Sequence, residues 1–418
     1  QVIPNTRSAV LTIPTQYGIL RALWPTALPS LLPVTVIIPA YNEEANIEAT
    51  LVSVLSAGIP AQVIAVDDGS TDGTNAILRR IQNEYPQLTI LERENSGSKA
   101  GALNYALPHV KHDIMICIDA DTIVDSDSFA YLAAHFSDAT VGAVAGKVYP
   151  ANQRSVFAQF QYLEYMQGQN LEKSVMALGN AISVVPGALG AWRTSALRAV
   201  GGYSTDTVVE DQDLTLRLIA EGYQIRFEPR AVAYTETPNT FGQFFKQRSR
   251  WVFGMIQCMW KYAPWMFSFK RYSLGWIILP NILLFNLFIP LLVPFVDAAV
   301  ILGLFGWGNI QMVIWPFIIY TVFDMWCALE GIAQEKNASI RLIPLVLWQR
   351  FFYRYVIALA IMRSMGRAAL GTFVGWGSHT RRGECHAALQ DVFGTLSPLP
   401  TLSPISVQSN IQTPSNAS

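Results

Sequence analysis

Gln62-Val63-Ile64-Ala65-Val66-Asp67-Asp68-Gly69-Ser70 is a short apolar run that stops at two carboxylates and a glycine. An apolar run of this length, rich in β-branched residues, reads as a strand buried on both faces, and Asp-Gly marks the turn that ends it. The segment behind it, Ser70–Tyr85, has a helical pattern. Moving away from this unit in both directions, the alternation repeats. Val34–Pro39 reads as a strand followed by a helical stretch to Ala57. Leu88–Glu92 is the next strand, Ser98–Leu107 a helix, and Asp113–Ile118 a strand that stops at Asp119-Ala120-Asp121. Strands alternating with helices predict a mostly parallel, Rossmann-like α/β sheet flanked by helices. Such sheets bind ligands at the carboxyl ends of their strands. Both acidic clusters fall at such ends. A capped turn explains either cluster alone, but two clusters at the ends of two strands of one sheet point to a site.

The residue types suggest its chemistry. Asp119 and Asp121 bring two carboxylates to one strand end, a donor set for Mg²⁺ or Mn²⁺ bridging to phosphates. Asp67 or Asp68 then contacts a nucleoside base or ribose, and Lys99, in Ser96-Gly97-Ser98-Lys99, meets the base or the phosphates. No GxxxxGK[ST] loop is present, so an ATPase-type phosphate cradle is excluded. The arrangement suits a nucleoside diphosphate held by metal.

Composition locates a second region. Of 418 residues, 51% are hydrophobic and 14% charged, with 29 basic and 30 acidic side chains and a formal net charge of −1. Soluble domains carry about 25% charged residues. The deficit excludes a disordered chain, and the balance argues against a nucleic-acid binder. Cys117, Cys258, Cys327 and Cys385 lie far apart without a CxxC pair, so neither a disulfide scaffold nor a zinc site is indicated. The chain opens on Gln1 without a signal-peptide pattern and reads as a piece of something longer.

The missing charge is concentrated in one place. Leu274–Glu330 contains no Lys or Arg. Leu274–Trp307 and Ile310–Leu329 are each long enough to span a bilayer, which takes about 20 apolar residues. Basic residues flank the pair and its tip has none, which predicts cytoplasmic flanks, and with them a cytoplasmic polar half, and an external tip. The first run would be about 50 Å long as one helix, and Pro280, Pro290 and Pro294 offer points to break it into two passes. A third stretch, Leu342–Met362, carries Arg350 and Arg354, costly if they face lipid. It reads either as an interfacial helix or as a span whose arginines line a polar channel. Residues 391–418, rich in Ser, Thr, Pro and Asn, read as a disordered tail.

Four stretches resemble successive motifs of family 2 glycosyltransferases with the GT-A fold: Pro39-Ala40-Tyr41-Asn42-Glu43, Val66–Asp72, Lys99-Ala100-Gly101-Ala102-Leu103-Asn104 and Asp119-Ala120-Asp121. Val209-Glu210-Asp211-Gln212-Asp213-Leu214 resembles the "TED" motif, and Gln247-Arg248-Ser249-Arg250-Trp251 the QxxRW motif of the processive membrane branch. That branch includes the cellulose, chitin, hyaluronan and poly-N-acetylglucosamine synthases. The likeness runs in order from about residue 34 to 385. Val209 stands where many relatives have Thr.

The resemblance implies roles for individual residues. Asp211, with Glu210 beside it, is the general base, at a helix start that favours its ionised form. Gln247, Arg250 and Trp251 share one helical face. Arg250 and Arg248 then meet the leaving diphosphate, Gln247 and Trp251 hold the acceptor, and Gly187 lies in the loop beneath it. Trp376, Arg381 and Arg382 resemble a gating loop, which, if cytoplasmic, requires an even number of crossings after Arg271. The implied layout is a lead-in over 1–33, a GT-A catalytic domain over 34–240 and an interfacial helix over 241–272. A membrane region over 273–370, a gating-type loop over 371–390 and the tail follow. The implied activity is inverting, processive transfer from a UDP-sugar to a growing β-linked polysaccharide, with export through the cell membrane. UDP-N-acetylglucosamine is the first donor and UDP-glucose the second. Transfer to a lipid acceptor, or an inactive scaffold or transporter, are the alternatives. Accessory export subunits are left open.

Overall fold

A computed structural model describes residues 32–58, 60–152, 155–333 and 342–371. Most of the lead-in, the gating-type loop after Gly371 with Trp376, Arg381 and Arg382, and the tail lie outside the described residues. The strands are β1 (Val34–Ala40), β2 (Pro60–Asp67), β3 (Leu88–Glu92), β4 (Ile114–Cys117), β5 (Thr122–Val124), β6 (Val141–Pro150), β7 (Gly190–Arg193) and β8 (Gln224–Thr235). They form one sheet in the order β3-β2-β1-β4-β7-β6-β8-β5. The expected strands pair in parallel: β1 with β2 and β4, and β2 with β3. The second half mixes directions. β7 runs antiparallel to β4 and β6, β6 and β8 are parallel, and β5 is antiparallel to β8. This is the GT-A-type mixed sheet flanked by helices, followed by a helical region.

Register aligns the site. Ala40 pairs with Asp67 and Ile37 with Cys117, so β1, β2 and β4 end at one edge. β8 comes to the same edge from the other half, where Thr235 pairs with Thr122 and the Glu236 N–H donates to the Asp121 carbonyl at 3.2 Å. Side chains alternate across the sheet as the strand period requires. Val36, Ile38, Val63 and Ala65 pack on one face with Leu51 and Leu78 from the helices Ile47–Ser56 and Thr74–Glu84. Ile37, Ile64 and Val66 pack on the other. The second helix begins later than the pattern suggested because Ser70–Gly73 makes the turn. Asp72 Oδ1 accepts from the Thr74 N–H there, and Gly69 takes φ +77°.

The face that carries Ile37 and Ile64 continues into the apolar region: Leu274, Ile278, Leu279, Ile282 and Ile361 belong to the same core. Among the described residues three helices, Ser273–Leu304, Ile310–Ile332 and Pro344–Ala369, are long and apolar enough to cross a membrane. The first is one helix, not two. It passes Pro280 and Pro290 with π-type turns just before them, at Ser273–Ile278 and Ile282–Phe288, and carries Pro294 within its α-helical part. Its excess length is taken up at its start, where it is embedded in the catalytic half. On the third helix, Arg354 is ion-paired with Asp324 of the second and lies 4.9 Å over the Tyr320 ring, so its charge is met by protein. A gating loop on the cytoplasmic side requires an even number of these helices to cross.

The helix Phe241–Tyr262 carries the QxxRW residues. It is capped by Thr240 Oγ1, which accepts from the Gln243 N–H. The sequence suggested a helix lying on the bilayer, but its aromatic residues are divided. Phe241 is exposed, whereas Phe244 and Phe253 are buried. Phe244 and Val356, from the third apolar helix, share a cluster, and Ser364 Oγ donates to the Ser249 carbonyl at 2.9 Å. The helix is therefore sandwiched between the sheet domain and the third apolar helix.

Candidate active site

The ends of β4 and β8, the start of the helix Glu210–Ala220 and one face of Phe241–Tyr262 enclose a cavity of about 720 Å³. It reaches down to Asn286, Asp324 and Cys327 of the apolar helices. Lys99, Asp119, Asp121, Gly187, Glu210 and Asp211 line its upper part, and Gln247, Arg250 and Trp251 line one side. Nine residues singled out in the sequence thus meet in one space.

Lys99 opens the helix Lys99–Ala106, held by Ser98 Oγ accepting from the Gly101 N–H at 3.1 Å. Its ammonium is ion-paired with Asp119, and Glu210 Oε1 lies 3.6 Å away. Burial alone would lower this ammonium. Asp119, Cys117 and Glu210 outweigh burial and hold it well above its ordinary range. Gly187 makes the approach possible, because a Cβ there would collide with Lys99 Nζ. Burial pushes the Glu210 carboxyl up, Lys99 opposing and Asp211 adding to the effect.

Asp211 sits in the first turn of its helix, where the helix N-terminus favours a negative charge. Its Oδ2 accepts from the Gly187 N–H at 3.2 Å and its Oδ1 from the Gln212 N–H at 2.8 Å. Val209, the departure from the family pattern, packs on Gly254: a Cβ at that glycine would come within 2.6 Å of it. The apolar side chain is therefore a packing choice and leaves both acids in place.

Asp119, paired with Lys99, and Asp121 both line the cavity, and carboxylates are the donors a hard divalent cation takes. Among the described residues no group of three or more potential ligands is present. A nucleotide-bridging Mg²⁺ takes only one or two protein carboxylates, with phosphate oxygens and water completing its shell. Asp121 Oδ1 also accepts from Thr235 Oγ1 at 3.2 Å, which fixes its orientation.

Three of the residues singled out in the sequence, Asp67, Asp68 and Arg248, do not line this cavity. Asp67 accepts from the Ser70 N–H and from Asn75 Nδ2, both at 2.9 Å. Asp68 accepts from the Ser96 N–H and hydroxyl and is paired with Arg93 at 3.1 Å. These buried carboxylates organise the loops at the strand ends. Arg248 is also buried off the cavity. It lies roughly 160° round the helix from Arg250, and its guanidinium meets Glu164 in a two-pronged pair at 2.7 and 2.6 Å.

The sequence did not disclose Glu164, Glu172 or Lys173, which line the lower cavity. Burial pushes the Lys173 ammonium down to about 8, against Glu172 and Asp211. No local signal marks Glu164, whose partner is 84 residues away. Gln247 Oε1 is buried and finds no hydrogen-bond partner among the described residues.

Comparison with known proteins gives the family and the fold. The profile described as "Glycosyltransferase like family 2" matches residues 30–254. Poly-beta-1,6-N-acetyl-D-glucosamine synthase of Staphylococcus aureus (strain COL) is 34% identical over 223 residues, 53% of this chain and 54% of the relative. The Staphylococcus epidermidis protein of the same name is 32% identical over the same shares. The chain thus spans about half the length of the curated relatives it matches. A solved structure, the mannosyltransferase PcManGT from Pyrobaculum calidifontis in complex with GDP-Man and Mn²⁺, shares the fold. Its TM-score is 0.61 and its identity 22%, covering 86% of this chain and 95% of that one. The catalytic half and the match over more than half of the chain place this protein in glycosyltransferase family 2.

Proposed function

We propose that the protein transfers a sugar, with inversion, from UDP-N-acetylglucosamine to a growing β-linked polysaccharide. One observation carries the reading: the Asp211 carboxylate, held by two N–H groups, faces the same cavity as Asp119, Asp121 and Trp251. Asp211 accepts the proton of the acceptor hydroxyl as that oxygen attacks the anomeric carbon. Lys99 and Glu210 keep the neighbouring charges balanced. Arg250, whose charge already acts on Glu210, suits a leaving diphosphate because it stays cationic throughout. Trp251 offers a flat face to a sugar ring, and Gln247 an acceptor for its hydroxyls. Mg²⁺ or Mn²⁺, held by Asp119 and Asp121, would neutralise the diphosphate. The relatives named as poly-β-1,6-N-acetylglucosamine synthases support the donor.

The same reading assigns residues 34–240 to catalysis, 241–272 to acceptor contact and 273–370 to a multi-pass region of the cell membrane with the catalytic half cytoplasmic. The depth of the cavity, down to Asn286 and Asp324, suits an acceptor chain threaded towards the apolar helices and hence processive transfer. Trp376, Arg381 and Arg382 would close over the nucleotide, with two of the three long apolar helices crossing the membrane and the third packed beside the catalytic half.

The test is a panel of radiolabelled UDP-sugars with Mn²⁺ and sizing of the products. Long chains from UDP-N-acetylglucosamine alone are expected. Long chains from UDP-glucose, or single transfers to lipid, would replace the reading. Asp211→Asn should lower turnover at least about 10²-fold, the contribution of a positioned base, while UDP affinity measured by calorimetry changes little. Equal loss of both would remove Asp211 from the base role.

A further inference from the structure

We infer that Glu164 is a positioning residue for the acceptor, tying the Trp251 platform to the third apolar helix. The inference rests on the reading of Trp251 given above. Glu164 lies near the end of the helix Val156–Gln167, one turn before the π-type turn Gly168–Glu172, and lines the cavity. Its carboxylate takes both prongs of Arg248, Nη1 to Oε1 at 2.7 Å and Nη2 to Oε2 at 2.6 Å. The hydroxyl of Tyr353 donates to the same Oε2. Tyr353 closes the π-type turn Gln349–Tyr353 of the third apolar helix and is buried against Phe244 and Phe160, with ring centroids 5.0 and 5.5 Å away.

The Arg248 guanidinium lies 4.6 Å over the Trp251 ring. A planar, always-charged guanidinium stacked on an indole limits how that ring can turn, provided its own fork is anchored. Glu164 is the anchor, and a two-pronged carboxylate pair fixes direction as well as distance. The side chains of Arg248 and Tyr353 are almost wholly enclosed, whereas that of Glu164 is 35% exposed and meets the cavity. A single carboxylate therefore joins three pieces that are remote in the chain: the cavity wall, the helix that carries Trp251 and a helix of the apolar region. Displacement of the third apolar helix is passed to the ring beneath the acceptor through two hydrogen-bonded contacts and one stack.

The experiment measures binding of a β-1,6-linked N-acetylglucosamine oligosaccharide, and separately of UDP, to the full chain in nanodiscs by calorimetry. Glu164→Gln keeps the shape and removes the charge. It should raise the oligosaccharide Kd about 10-fold, as expected for losing a charge-assisted contact, while UDP affinity changes less than about 2-fold. Arg248→Lys, which loses the fork, should give the same split, and the double variant should be no worse than either single one. Tyr353→Phe should shift oligosaccharide affinity in the same direction by about 3-fold. It also decides the matter if Glu164→Gln fails to fold. Unchanged oligosaccharide affinity, or equal loss of both ligands, overturns the positioning role and leaves the proposed function standing. A parent chain that binds UDP but no oligosaccharide overturns the acceptor reading and this inference together.

Discussion

Two residues apart on one helix, Arg248 is enclosed against Glu164 while Arg250 faces the cavity. Sequence shows two arginines beside a tryptophan; only helical phase and a remote carboxylate separate their tasks. Lys173 raises the same issue of surroundings. Its pKa, pushed down to about 8 from 10.5 by burial, means that the folded state disfavours the protonated ammonium. Below pH 8 both folded and unfolded chains carry the proton, and the full penalty falls on the fold. Between pH 8 and 10.5 the unfolded chain holds more proton, so stability rises with pH. Lys173→Met should therefore raise the melting temperature at pH 7, and its advantage should shrink as the pH approaches 10.5. Thermal unfolding across that range checks it.

At the scale of elements, β8 shows how a charge cluster shapes a strand. Its register against β6 shifts between Gly146 and Lys147, so that Gly146 faces Glu228 and Lys147 faces Val232. The fully buried Glu228 carboxylate holds this bulge. It accepts from the Arg230 N–H at 3.0 Å and from its guanidinium at 2.8 and 2.7 Å, with His135 Nε2 at 3.0 Å. Burial would raise this carboxyl, but the bonds from Arg230 and His135 win and lower it below 4.5. Its stabilisation is thus present above pH 4.5 and lost as pH falls through the lower folded value. Glu228→Gln should cost about 3 kcal/mol at pH 7, the price of a broken buried pair. The gap to wild type should close in acid, measured by urea unfolding.

Strands such as β2 and β4 were legible because an apolar run ends at carboxylates within one short window. β7 was not: four residues, Gly190–Arg193, take their strand character from pairing with β4 and β6, both distant in sequence. The site divides in the same way. Asp119, Asp211 and Trp251 lie in compact motifs, whereas Glu164 acquires its role from Arg248 and Tyr353, which only the tertiary fold brings near. The long first apolar run was ambiguous in length, and packing of its opening turns on the sheet domain accounts for the excess.

Across the whole molecule, the helices of the apolar region are joined by polar contacts as well as by shape. Arg354 pairs with Asp324, and Tyr355 donates to Asp297 Oδ2 at 2.8 Å. Asp324→Leu should lower the unfolding temperature in detergent more than the double change Asp324→Leu with Arg354→Leu, because the single change strands a cation among apolar neighbours. Thermal scanning of the single and double variants tests the coupling. The packing of Leu274, Ile278, Leu279 and Ile282 with Ile37 and Ile64 in one core also bears on how the chain can be divided. Cutting after residue 272, where the apolar region begins, would not release an enzyme from its anchor. It would strip side chains from the interior of the catalytic half, leave Glu164 without Tyr353, and expose the face of Phe244 that the third apolar helix covers. A water-soluble fragment of this protein would need those faces redesigned before it could fold.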